Sequence, residues 1–170
     1  MNIFLLHRNP KIAAEHHCDK HVVKMIIETA QLLYSAHHVL DADLLKDHHI
    51  TLPENAYKKT HPNHPCAIWV RESIVNYIWL TELGWYLCKE YQYRYGEQKV
   101  HKTEMHICWL MKNPPVLIPH VPATPFRQAM PPEYKRDDPI EAYRTYYKKS
   151  KLEARKIVKY TRRPPPAFLL

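Results

Sequence analysis

The sequence predicts an all-α fold, a single-domain helical bundle of about four helices carrying one long proline-rich loop. Three observations lead there. Two glycines stand against fifteen prolines, a ratio that suits helices joined by stiff connections better than glycine-rich β-turns. Val22, Val23, Met25, Ile26, Ala30, Leu32 and Leu33 fill one arc of a helical wheel, with polar residues on the other. Pro65 and Gly96 bracket a second segment with the start and stop residues that helices favour.

Taken in order, a first helix is expected from Pro10 to Leu40, broken near His16, and a second from Pro65 to about Tyr95. A shorter one covers Gln98 to Met111 and stops before Asn113-Pro114-Pro115, because a proline restricts the residue ahead of it. The last runs from Asp138 or Pro139 to about Tyr160. Between these two, residues 114–132 hold seven prolines and no sustained periodicity. This segment reads as a surface loop packing through Val116, Leu117, Ile118 and Phe126. Residues 1–160 form the domain, and 161–170 an extended, mobile tail around Arg162-Arg163-Pro164-Pro165-Pro166.

With 170 residues, 45% of them hydrophobic, the chain can bury a core without disulfide or metal staples. Cys18, Cys66, Cys88 and Cys108 are far apart and form no CxxC pair, which fits a reducing, cytoplasmic setting. No segment approaches the roughly 18 uninterrupted apolar residues of a membrane span. A formal charge of +8 favours a polyanionic partner through Coulomb attraction and counterion release. Double-stranded DNA bound by a monomer is the expectation.

On the first helix, Lys20, Lys24, Glu28 and Gln31 stack along one face, flanked by His17, His21 and Ser35. Two amines four residues apart oppose each other's protonation, and a carboxylate follows one turn on. That is an amine nucleophile beside an acid–base group, or an ordinary solvated face with a Lys24–Glu28 pair. His17 and His21 have the i,i+4 spacing of metal ligands, but the glutamate of an HExxH pattern is missing and Cys18 and Asp19 project elsewhere, so no metal or other cofactor is expected.

These residues, Asp19-Lys20, Lys24, Glu28 and Gln31-Leu32-Leu33, followed by Asn63-His64-Pro65-Cys66-Ala67-Ile68-Trp69, resemble the pyrimidine-dimer DNA glycosylases of the phage endonuclease V type. The resemblance covers roughly Met1 to Gly96, with an echo at Tyr143-Arg144-Thr145-Tyr146-Tyr147-Lys148. It implies a helical protein that kinks damaged duplex DNA, cuts the glycosidic bond through an amine, and nicks the abasic site by β-elimination. Glu28, nine residues after Asp19, stands where that family's essential glutamate stands, and His21 is similar to one of its histidines. Ile27 and Gln31 replace arginines of the family pattern. The family attacks with the α-amine of a small residue exposed by methionine removal. Here Asn2 follows Met1, which leaves Met1, Lys20 and Lys24 as candidate amines.

Further DNA-contact candidates follow from residue type. Trp69 and Arg71 lie just after His64-Pro65, at a helix start whose N–H groups favour phosphate. Tyr143, Arg144, Tyr147, Lys148, Lys149 and Lys151 mix aromatic and basic side chains suited to stacking on bases and gripping phosphates; buried tyrosines under a solvated charged face are the alternative. The expected activity is a DNA glycosylase with associated abasic-site lyase. An N-glycosidase or transferase acting on nucleotides, and a non-catalytic basic DNA-binding module, are the alternatives.

Overall fold

A computed structural model describes residues 2–154 and 159–170. Among them there are seven α-helices and no strand: α1 (Pro10–Glu15), α2 (Asp19–Leu40), α3 (Ala42–Lys46), α4 (Pro65–Glu72), α5 (Ile74–Tyr95), α6 (Glu104–Lys112) and α7 (Pro139–Tyr146). A π-helical turn, Tyr147–Glu153, continues α7. The all-α class stands, but the expected four helices divide further. The Pro10–Leu40 helix breaks at His16–Cys18, as expected. The Pro65–Tyr95 helix also breaks, at Ser73, whose backbone is extended (φ −155°, ψ 141°). There Ser73 Oγ accepts the Val75 N–H (3.0 Å) while Ile74 donates to the carbonyl of Pro119 in the proline-rich loop (2.9 Å). A tertiary contact thus replaces the helical bonds that periodicity alone would continue. The third helix starts at Glu104 rather than Gln98.

Local chemistry starts the helices. Asn9, His64 and Asp138 each cap one, accepting N–H groups of Lys11 and Ile12, Cys66, and Ile140, ahead of Pro10, Pro65 and Pro139. Gly96, at φ 129°, ends α5 in a conformation L side chains rarely adopt. Gly84 serves packing: a Cβ there would meet Thr29 of α2 and Ile107 of α6, each at 2.9 Å.

The long helices α2 and α5 pack against each other, with α1, α4 and α6 around them. Through this core runs the segment Ile3–Leu6, whose four side chains are buried. Each contributes about 2 kcal/mol of hydrophobic stabilisation, which holds the amino end inside the bundle. In the proline-rich loop Ile118 is buried and Phe126 packs on the core, whereas Val116 and Leu117 are exposed, contrary to expectation. Their N–H groups, not their side chains, dock the loop: both donate to the buried Asp41 carboxylate (2.9 and 3.0 Å). The tail is also docked rather than mobile. Thr161 donates to Asp19, Arg163 pairs with Glu90, and Phe168 packs on His16. No helix among the described residues is long and apolar enough to cross a membrane.

Candidate functional site

The polar face of α2 divides according to what covers it. Its middle, at His21, Lys24 and Glu28, opens into a cleft of about 320 Å³. His64 enters it from the start of α4, Tyr146 from the end of α7, Lys151 from the π-helical turn that follows, Ala129 from the proline-rich loop, and Asn2 and Phe4 from the amino-terminal segment. Glu28 is only 9% exposed. One carboxylate oxygen accepts the backbone N–H of Asn2 (3.0 Å), and the other pairs with the Lys24 ammonium (3.0 Å), whose own side chain is 56% exposed.

Asn2 is fixed on both ends of its amide. Nδ2 donates to the Ala129 carbonyl (3.0 Å), and Oδ1 accepts the Ile3 N–H (2.8 Å) and the Cys66 thiol (3.3 Å). The backbone nitrogen of Asn2 is therefore delivered to Glu28 by packing, although residues 2 and 28 are remote in sequence. His21 is held from behind: its Nδ1 lies 2.8 Å from the Tyr147 hydroxyl, which also accepts the Cys18 N–H (2.9 Å), and Phe4 stacks on its ring at 5.2 Å. Burial pushes the Tyr147 phenol far above its ordinary pKa, so it stays protonated. Burial pulls the His64 imidazole down, consistent with a neutral ring whose Nδ1 accepts the Cys66 N–H (3.2 Å). The cleft thus sets one anchored carboxylate among amines and imidazoles, a combination able to stabilise a developing cation and to move protons.

Other expected site residues are placed elsewhere. Lys20 is exposed and Gln31 half-buried, and neither lines the cleft. Asp19 turns into the bundle, where it accepts Arg94 (3.0 Å) and the Thr161 N–H and hydroxyl (2.9 and 2.6 Å). Burial raises its carboxyl pKa, but these donors outweigh burial and hold it below the usual value. His17 is fully buried with Nδ1 on the Ala13 carbonyl (2.7 Å), and desolvation brings its pKa down to about 3. It belongs to the core rather than to a DNA or metal site. Among the described residues no group of three or more His, Cys, Asp or Glu side chains could hold a metal ion.

Trp69, offered by sequence as a DNA contact, is 4% exposed, packs on Phe126 at 4.2 Å and donates to the Thr124 carbonyl (3.2 Å). Arg71 turns back to the Pro62 carbonyl. Tyr143 is buried, its hydroxyl donating to the Arg127 carbonyl (2.8 Å), and Arg144 donates to the Leu6 carbonyl (2.9 Å). Trp69 and Tyr143 thus hold chain segments together inside the fold, whereas Arg71 and Arg144 are half-buried, and each of the four has a polar head that a nearby backbone group satisfies. Lys148 is half-buried, and Lys149 is exposed and paired with Glu153 (3.1 Å). Met1 lies outside the described residues, as do Arg155 and Lys156 of the expected last helix.

Sequence reasoning missed Asn2, Phe4 and Ala129 as cleft residues. Nothing local marks them, since each arrives through a contact across the bundle. No protein-family model, curated protein or solved structure matches the chain.

Proposed function

We propose that this chain is a DNA glycosylase with associated abasic-site lyase activity, acting on a damaged or modified pyrimidine in double-stranded DNA. One observation carries the reading: the Glu28 carboxylate lies in a polar cleft with a backbone nitrogen of the chain's amino end 3.0 Å from it and a lysine on its other oxygen. In this scheme an amine attacks C1′ of the sugar, the glycosidic bond breaks and the base leaves with a proton, and the C1′–O4′ bond then opens with O4′ taking a proton to leave an iminium at C1′. Glu28 stabilises the positive charge that develops on the sugar. It then takes a C2′ proton from the resulting iminium, and the C3′–O bond breaks with the 3′ phosphate as leaving group. Of the candidate amines, Lys24 lines the cleft while Lys20 does not. The amino end is the other candidate, since Asn2 leads the chain into the cleft. The formal charge of +8 supports the polyanionic substrate.

The test is incubation with a panel of lesion-bearing and abasic duplexes under borohydride, followed by mapping of the modified residue. A covalent adduct on the amino end or on Lys24 is the expected result. Cleavage of free nucleotides with no adduct on any duplex would favour a nucleotide N-glycosidase; salt-sensitive duplex binding with neither reaction would leave a non-catalytic DNA-binding module.

A further inference from the structure

We infer that Lys151 holds a backbone phosphate flanking the sugar that Glu28 serves, an assignment that rests on the glycosylase–lyase reading above. Three ordinarily charged side chains line the cleft: Glu28, Lys24 and Lys151. Lys24 is neutralised by Glu28 at 3.0 Å, and the neighbouring Lys149 is neutralised outside the cleft by Glu153 at 3.1 Å. Among the described residues no carboxylate comes within ion-pair distance of Lys151. Its ammonium sits instead over the Tyr146 ring, 4.7 Å from the centroid. An aromatic face attracts a cation without occupying its N–H donors as a carboxylate would. Lys151 therefore adds a positive charge to the cleft and keeps donors for an anion.

The backbone is arranged to put it there. In an α-helix, residues five apart point about 140° from each other, which would carry Lys151 away from Tyr146. The π-helical turn Tyr147–Glu153, with Ala154 N–H on the Lys149 carbonyl (3.2 Å), widens the winding and brings 151 back over 146. Such turns are rare and concentrate at functional sites. The same widening keeps Tyr147 buried against His21, so one local device serves the core side and the cleft side of the segment. A compact ammonium beside the reacting sugar would engage the phosphodiester as a point charge, next to the oxygen that β-elimination releases.

The test uses a duplex carrying a tetrahydrofuran abasic analogue, which binds but cannot react, together with a true abasic duplex under borohydride. Relative to wild type, Lys151→Ala should bind the analogue about tenfold more weakly, as for loss of one charge-assisted contact. The slope of log affinity against log salt should become shallower by about one. Lys151→Arg should recover most of the affinity, and Lys151→Ala should still form the borohydride adduct when the duplex is saturating. Melting curves of both variants establish that they are folded. Unchanged affinity and slope in Lys151→Ala would overturn the assignment. So would loss of the adduct in both variants at saturation, which would make Lys151 the attacking amine. Absence of binding and adduct in the wild type is a different result: it removes the glycosylase–lyase reading first, and this assignment with it.

Discussion

Helix α2 carries two carboxylates nine residues apart, Asp19 and Glu28, each beside a cation, and they end in opposite environments. Asp19 belongs to a sealed cluster. Arg94, with no exposed side-chain surface, bridges Asp19 (3.0 Å), Glu90 (2.8 Å) and the Glu15 carbonyl (3.0 Å), while Thr161 and Arg163 from the tail close the remaining acceptors of Asp19 and Glu90. Glu28 has a partner on each oxygen too, but one of them is a lysine more than half exposed, and the group faces a cleft. The contrast shows that an acid–cation pair on a helix face says little by itself. What distinguishes a brace from a reactive group is whether the cation can move aside and admit a ligand. In the sealed cluster a change should act on folding, and in the cleft on chemistry.

The largest expected effect is at the brace. Arg94→Met removes the centre of the cluster and leaves Asp19 and Glu90 as buried, under-paired carboxylates, so urea unfolding should show a loss of about 3–5 kcal/mol. A loss below about 1 kcal/mol, typical of exposed pairs, would erase the distinction drawn here. Next comes Glu28→Gln, which keeps shape and most hydrogen bonds but removes the charge. Single-turnover cleavage of an abasic or lesion-bearing duplex should fall on the order of a hundredfold or more, while melting temperature and duplex affinity stay close to wild type. Normal turnover by a well-folded variant would remove Glu28 from the mechanism; activity falling only in step with the folded fraction would make it a second brace.

A third effect, spread over a wide pH range rather than confined to one substitution, concerns two buried imidazoles of the bundle. Burial holds His17 and His37 neutral, with pKa values brought down to about 3 and about 4 from 6.5. In the unfolded chain both take up a proton as pH falls below 6.5, while in the folded chain they do not. Their stabilising contribution is therefore complete above pH 6.5 and declines between 6.5 and about 4 for His37, and on to about 3 for His17. Each adds a slope approaching about 1.4 kcal/mol per pH unit within its window. Asp19, held below its ordinary value, adds a further loss only below pH 3.8. Urea midpoints measured from pH 7.5 to 4.5 should fall monotonically, and a flat profile would mean that these rings are not sealed.

Much of the architecture is local, and the sequence alone determined it. The scarcity of glycine, the prolines at 10, 65 and 139 behind capping side chains, and the apolar arc of α2 fix helices in those places, because capping and helical periodicity act within a few residues. The polar strip with Glu28 was legible for the same reason. Which parts of that strip are covered was decided only by the tertiary structure. The tail seals Asp19, the buried segment Ile3–Leu6 brings Asn2 to Glu28, and Pro119 of the proline-rich loop breaks the Pro65–Tyr95 helix at Ser73. A helix repeats every 3.6 residues whatever surrounds it, but the solvation and pairing of a charge depend on everything packed against it, and here those neighbours come from the opposite ends of the chain.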